Sequence, residues 1–289
     1  MIATFEYIEQ VINTCKKAAQ ANLETPSRRG NLIMLTSEDG TDVMITGDLH
    51  GHRRNFNLIR RIAALDKNPG RHLVIQEVCH GGLTYPDGGC MSHTVLEDVA
   101  KLKTQYPDRV HFILGNHELA EMTDYPIQKN KQMLNFLFRL GIQHVYGPAA
   151  DRVRQAYIEF IQTCPLGVVI PGGVVVTHSL PENVDKQGFD VSVFHRPLDI
   201  LEFLEHRSVF RLVWGRDYRE ENAAAFARLL HANVLIHGHE PCPEGYAAPN
   251  KVQIILDCSA EKAGYVILPL DRQEPWTHEE VLSRVKLLA

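Results

Sequence analysis

Asp42-Val43-Met44-Ile45-Thr46-Gly47-Asp48-Leu49-His50-Gly51 is the stretch on which the fold turns. Its first five residues form an apolar run of strand character, and the next five break it. The break puts a carboxylate, Asp48, and an imidazole, His50, two residues apart, so that both side chains leave the same side of a strand fraying into a loop. Glycine on either side lets the backbone turn sharply and leaves room for something small and charged. Taken alone, an Asp-x-His pair also describes many surface turns, so the rest of the chain has to decide.

Working outward, the pattern repeats. His72–Gln76 reads as a short buried strand that stops at Glu77, and Arg109–Leu114 as another, halted at Gly115-Asn116-His117-Glu118. Gly167–Ile170 and Val174–Thr177, joined by Pro171-Gly172-Gly173, read as a hairpin ending at His178-Ser179; Asn233–Ile236 ends at His237-Gly238-His239. Further strands are predicted over Val252–Leu256 and Tyr265–Leu268. Asn31–Thr36 and Thr41–Thr46 read as a hairpin around Asp39-Gly40.

Between the strands, helical periodicity covers residues 2–22, 55–65, 93–105 (with Ser92 as its cap), 131–140, 149–163, 198–206, 220–231 and 277–288. The loop 78–92, rich in Gly, Pro, Asp and Cys, is longer than an ordinary connection, which points to function. These elements predict an α/β fold: one domain over 1–289, with two packed mixed β-sheets flanked by helices. Residues 1–30 form an N-terminal helical extension, 118–165 a helical cap, and 271–289 a C-terminal helix.

The 289 residues are 44% hydrophobic and 22% charged, with 30 Lys+Arg against 35 Asp+Glu, a formal charge of −5. With no basic run beyond two residues, this excludes a dedicated nucleic-acid binder. No window approaches a membrane span and the N-terminus lacks a signal peptide, so a cytoplasmic protein is expected. Cys15, Cys79, Cys90, Cys164, Cys242 and Cys258 form no Cys-x-x-Cys pair and read as buried thiols, with Cys79 and Cys90 the two that could differ. The 15 His are unusual, because His is the commonest metal ligand.

Asp48 and His50, Glu77, Asn116 to Glu118, His178, and His237 with His239 all lie just past a strand, where open α/β sheets bind ligands. Carboxylates, an amide and imidazoles without thiolates suit two cations such as Mn, Fe or Zn rather than a closed structural zinc site. Two metals about 3.5–4 Å apart need a bridge, for which a carboxylate from a middle strand is the natural choice.

Gly47-Asp48-Leu49-His50-Gly51, Gly115-Asn116-His117-Glu118, Thr177-His178 and Gly238-His239-Glu240, with the segment from Pro165 and Leu212-Val213-Trp214, resemble the calcineurin-like metallophosphoesterases, in particular their phosphoprotein phosphatase branch. The match runs from about 42 to 269. The resemblance implies that Asp48 and His50 bind the first metal, Glu77 bridges, and Asn116, His178 and His239 complete the second. It makes His117 the general acid, and Arg216, with Arg219 or Arg53 as substitutes, the clamp on phosphate oxygens; His237 is expected beside the substrate. The implied activity is hydrolysis of phosphate monoesters, including phosphoserine and phosphothreonine proteins, by metal-hydroxide attack on phosphorus. Dinucleotide polyphosphates or phosphodiesters are the alternative substrates, and an impaired relative that binds a phosphorylated partner is the alternative class.

The departure is at the second motif. Where the family has Gly-Asp-x-x-(Asp/Asn)-Arg-Gly, this chain has Gln76-Glu77-Val78-Cys79-His80-Gly81-Gly82. Glu77 is one methylene longer than Asp. His80 replaces the group that orients the catalytic His and is either a vestige or a substituted acid/base; Gly81 removes an arginine.

Overall fold

The computed structural model describes residues 2–289, and its order of elements explains where the strand ends go. Helix α1 (Phe5–Glu24) opens the chain, followed by β1 (Arg28–Arg29), β2 (Leu32–Met34), β3 (Asp42–Asp48), α2 (Arg53–Ala63), β4 (Arg71–Gln76), α3 (His93–Gln105) and β5 (Val110–Ile113). Next come α4 (Asn116–Thr123), a small hairpin of β6 (Gln128–Lys129) and β7 (Gln132–Met133), α5 (Leu134–Tyr146) and α6 (Ala150–Gln162). The second half contains β8 (Gly167–Ile170), β9 (Val174–Thr177), α7 (Val184–Gln187), α8 (Ser208–Trp214), α9 (Glu220–Leu229), β10 (Val234–His237), β11 (Tyr246–Ala247), β12 (Gln253–Leu256), β13 (Gly264–Pro269), α10 (His278–Leu282) and β14 (Val285–Leu287).

Two mixed sheets result, in the orders β14-β13-β3-β4-β5 and β1-β2-β8-β9-β10-β12-β11. Side-chain alternation does the sorting. Val43, Ile45 and Val74 point inward to meet Val174, Val176, Val234 and Ile236 of the opposite sheet, whereas Met44, Leu73 and Ile75 point outward into a core shared with the helices. Both faces of β3 and β4 are therefore buried, as their unbroken apolar runs require. The sheets touch where Asp48, at the end of β3, bridges Asp257 beyond β12. Gly47 permits that approach, because a Cβ there would lie 2.1 Å from the Leu256 carbonyl oxygen.

Helix α1 packs on α3 and α6, and its buried residues Ile8, Val11, Ile12, Cys15 and Ala18 follow the helical period. Four expectations change. The helix expected over 198–206 is a single 3-10 turn at Ile200–Phe203. Residues 31–46 do not form a hairpin: β2 pairs in parallel with β8 in one sheet, and β3 lies between β4 and β13 in the other. Two-residue alternation cannot tell a hairpin from strands of separate sheets, and here Asp39 closes its own turn by accepting from Thr36. The tail is not one helix; α10 is five residues long and β14 then pairs with β13. Ser92 sits at the N-terminus of α3 but makes no cap hydrogen bond, since its hydroxyl accepts from the His80 N–H.

All six cysteines are free and buried. No helix among the described residues is long and apolar enough to cross a membrane.

Candidate metal centre

Strands from both sheets aim their C-terminal ends at one point. His178 Nε2 lies 2.8 Å from Asn116 Oδ1, 3.2 Å from His239 Nδ1 and 2.9 Å from Glu77 Oε2, and His239 Nδ1 is 2.8 Å from Asn116 Oδ1. These side chains come from β9, α4, the turn after β10 and the turn after β4. The loop turns that present them are unusual: His50, Glu77, His80 and His239 all have positive φ, between 40° and 70°. Non-glycine residues held there cost on the order of 1–3 kcal/mol each, and such strain gathers at functional sites. At Gly238 a side chain is excluded, because a Cβ would fall 2.0 Å from Asp48 Oδ1.

A second group flanks the first. Asp48 Oδ2 accepts the His239 backbone N–H at 2.6 Å, while Oδ1 is buried with no hydrogen-bond partner. His50 Nδ1 faces the Cys79 carbonyl at 3.2 Å, which turns its Nε2 toward Glu77 and His117; ligand atoms of these three residues lie within 4.8 Å of one another. His117 Nε2 is 3.6 Å from Glu77 Oε1, and its backbone N–H donates to the same oxygen at 3.2 Å. Glu77 thus stands between the two groups, one oxygen toward each.

The electrostatics fit cations. Burial pushes the carboxyl groups of both Asp48 and Glu77 up, and each has a further carboxylate nearby that raises it, Glu77 for Asp48 and Glu118 for Glu77. Burial likewise pushes His117, His178 and His239 down, reinforced for His117 and His239 by neighbouring imidazoles, so these rings are neutral at pH 7 and offer lone pairs. Without a cation, lone pairs of Glu77, Asn116, His178 and His239 would face one another at about hydrogen-bond distance with too few protons among them. Neutral imidazole, amide and carboxylate donors so arranged suit Mn, Fe or Zn.

Several supporting residues have partners that the sequence motifs do not reveal. Glu118 Oε1 accepts from the N–H groups of Val78 and Cys79 at 2.9 and 2.8 Å and so shapes the turn that presents Glu77. Gln76, where the family pattern has glycine, orients His178 by an Oε1–Nδ1 contact of 3.2 Å. His80 Nδ1 is 2.9 Å from His117 Nδ1, and His80 Nε2 is 2.8 Å from Glu121 Oε1. Gly81 has φ +133°, and a Cβ there would lie 2.7 Å from the His50 carbonyl oxygen, so an arginine could not simply be placed at this position.

The other expected residues are spread more widely. Arg216 lies beside the centre, with Nη2 3.4 Å from the His239 carbonyl and Nε paired to Glu240 at 2.6 Å. Arg53 is paired with Asp98 and donates to Thr94, which ties it to α3. His237 is wholly buried, with Nδ1 against the Thr177 carbonyl at 3.0 Å, and burial pushes it down to about 4. A groove of about 540 Å³ lined by Tyr125, Phe210, Arg211 and Trp214 adjoins the centre, the Trp214 ring standing 6.3 Å from that of His239.

Solved structures share this architecture. A protein serine/threonine phosphatase from Saccharomyces cerevisiae superposes with a TM-score of 0.66 at 15% identity, covering 90% of this chain and 82% of that one. A cold-active protein-tyrosine phosphatase of a psychrophilic Shewanella gives 0.57 at 12% identity, with 93% and 84% covered. Two curated proteins are similar in sequence. The "probable serine/threonine-protein phosphatase" of Encephalitozoon cuniculi is 23% identical over 82% of this chain, and the PP2A-like serine/threonine-protein phosphatase PPG1 of Candida albicans is 24% identical over 90%. The chain spans 52% and 59% of the length of these two relatives. Residues 41–243, which begin just before β3 and end beyond His239, match calcineurin-like phosphoesterases as a family, and with the strand ends arranged as they are, the chain belongs to that family.

Proposed function

We propose that this chain is a dinuclear metal-dependent phosphoesterase that hydrolyses phosphate monoesters, phosphoserine and phosphothreonine proteins among them. The observation that carries the reading is the convergence of Glu77, Asn116, His178 and His239 within 3.2 Å, with the unpartnered Asp48 Oδ1 and with His50 on the far side of Glu77. Asn116, His178 and His239 would hold one cation and Asp48 and His50 the other, with Glu77 available to both. When bound, such a pair supplies acidification of a water molecule and neutralisation of charge on the phosphoryl oxygens.

The protein's own groups do the rest. His117 stands beside Glu77 with Nε2 toward the centre, placed to hand a proton to the leaving oxygen. Arg216, half-exposed and paired with Glu240, can swing a guanidinium onto two phosphoryl oxygens. The aromatic groove beside Trp214 receives the organic part of the ester, and the buried walls of the site exclude water from the ligand atoms.

The test is metal analysis joined to turnover. Purified protein should carry close to two equivalents of Mn, Fe or Zn and hydrolyse p-nitrophenyl phosphate. Asp48→Ala and His239→Ala should lose both properties. Protein without stoichiometric metal, whose turnover is untouched by either substitution, would end this reading. A panel of monoesters, diesters and dinucleotides then assigns the substrate class.

A further inference from the structure

His117, partly exposed, is the inner end of a line of three side chains whose other two members are buried. Its Nδ1 meets His80 Nδ1 at 2.9 Å, and His80 Nε2 meets Glu121 Oε1 at 2.8 Å. Helix α4 sets the ends of the line, since His117 and Glu121 are four residues apart and share one face. His80 enters between them from the loop after β4, fixed by its N–H donating to Ser92 Oγ at 3.0 Å and by the Phe138 ring standing edge-on 5.4 Å away. At the outer end, Glu121 Oε2 faces Arg154 Nε at 3.5 Å and Arg139 Nε at 3.8 Å. His80 and Glu121 are each only 2% exposed, so water does not compete for these contacts.

A contact between two Nδ1 atoms is ambiguous on its own, because either ring could donate. The carboxylate removes the ambiguity. Glu121 accepts, which places a hydrogen on His80 Nε2; with that as the ring's single hydrogen, its Nδ1 is bare and only accepts, and His117 carries the hydrogen of the Nδ1–Nδ1 contact. Nε2 of His117 is the nitrogen left facing Glu77 and the centre.

We propose that Glu121 is a positioning residue which, acting through His80, fixes the tautomer and ring orientation of His117 so that Nε2 is the atom presented to the leaving oxygen. The proposal rests on the phosphoesterase reading above. In that reaction, water gives a proton to the bare His117 Nε2 as its oxygen bonds to phosphorus, the ester P–O bond breaks, and that same proton passes from Nε2 to the departing oxygen. His117 is left as the Nδ1–H tautomer that His80 already accepts, so no hydrogen in the line has to be rearranged.

The experiment has two arms. Nitrogen-15 NMR of the histidines in the metal-free protein should show His80 protonated at Nε2 and His117 at Nδ1. In kinetics, Glu121→Leu should lower kcat for phosphoserine by roughly 10–100-fold, the usual cost of removing an orienting partner. The loss should be much smaller for p-nitrophenyl phosphate, whose leaving group needs little protonation. Glu121→Gln, which keeps an acceptor, should stay near wild type. In a His80→Asp background, where a carboxylate would accept from His117 directly, Glu121→Leu should cost little.

The proposal is overturned if His80 lacks a hydrogen on Nε2, if Glu121→Leu slows both esters equally, or if it costs as much beside Asp as beside His at position 80. Should Glu121→Leu fail to fold, or should wild-type protein hydrolyse neither ester, the tautomers alone decide the line. In the second case the functional reading fails separately.

Discussion

Gln76 Oε1 lies 3.2 Å from His178 Nδ1, while Gln76 Nε2 donates to the Thr46 carbonyl at 2.9 Å. Because the carbonyl can only accept, the amide nitrogen must face Thr46 and the amide oxygen must face His178. His178 then carries its hydrogen on Nδ1, and its bare Nε2 points at Asn116, His239 and Glu77. A residue at the end of β4 in one sheet thereby sets the tautomer of a proposed metal ligand just past β9 in the other.

Gln76→Leu removes that acceptor while keeping much of the side-chain volume. Loss of an orienting partner of a metal-ligating histidine lowers metal affinity by roughly 10–100-fold. Competition against a chelator should show such a fall for Mn or Zn in folded protein, and an unchanged affinity would mean that the amide does not orient His178.

Asp48 and Glu77 are buried carboxyl groups whose ionisation is opposed by burial and by neighbouring carboxylates. In metal-free protein, removing one charge should relieve that cost. Asn at position 48 can still accept from the His239 N–H with its amide oxygen. Metal-free Asp48→Asn is therefore expected to be more stable than metal-free wild type by on the order of 1 kcal/mol, the free energy of roughly a tenfold change in a proton-binding equilibrium. The stabilisation normally gained on adding metal should disappear. Urea unfolding with and without Mn checks both halves, and a variant less stable than wild type without metal would contradict the argument.

The parts of this molecule that were legible in the sequence are those where a periodic apolar run ends abruptly in polar residues. Asp48, His50, Glu77, Asn116, His178 and His239 were found that way, because a strand end is a local event. The residues that support them were not. Gln76 stands where the family pattern has glycine, Glu118 sits in a motif that does not say what it bonds to, and Glu121 looks like a surface charge until burial is known; their roles depend on what another element brings to them. Helix α4 begins at the proposed ligand Asn116 itself, and a motif at a strand end does not show the four-residue helical spacing of His117 and Glu121. Strand pairing was lost for a similar reason, since β2 and β14 are three residues each and find partners far along the chain.

Acid should destabilise the metal-free protein. Burial lowers His72, His111, His117, His178, His237 and His239, with His237 at about 4. Between those lowered values and the ordinary value of about 6.5, the unfolded chain holds protons that the folded chain does not, so stability rises with pH. Asp48 and Glu77, raised in the folded state, act in the opposite sense, keeping protons that the unfolded chain has lost. Six histidines against two acids make the net slope positive. Unfolding free energy is expected to fall as pH is lowered from about 7 to about 5, and a flat or inverse profile in chelator would contradict the assignment of neutral rings.

Helix α1 precedes the matched region and could be taken for an appendage, but its packing makes it part of the core. Ile8, Val11, Ile12, Cys15 and Ala18 are all buried, against α3 and α6, and Asn22 donates to Thr163 Oγ1 at 3.0 Å. Both partner helices also support the candidate metal centre, α3 through the loop that holds His80 and α6 through Arg154, which faces Glu121. Ile12→Ala should cost roughly 2–5 kcal/mol by leaving a cavity on this seam. Deleting residues 1–24 would bare the apolar faces of α3 and α6 together, and the truncated protein should be insoluble or bind hydrophobic dyes. If it instead stayed monomeric, bound two metals and melted within a few degrees of the full chain, α1 would be an extension after all, and the seam would contribute little to holding His80 and Glu121 in line.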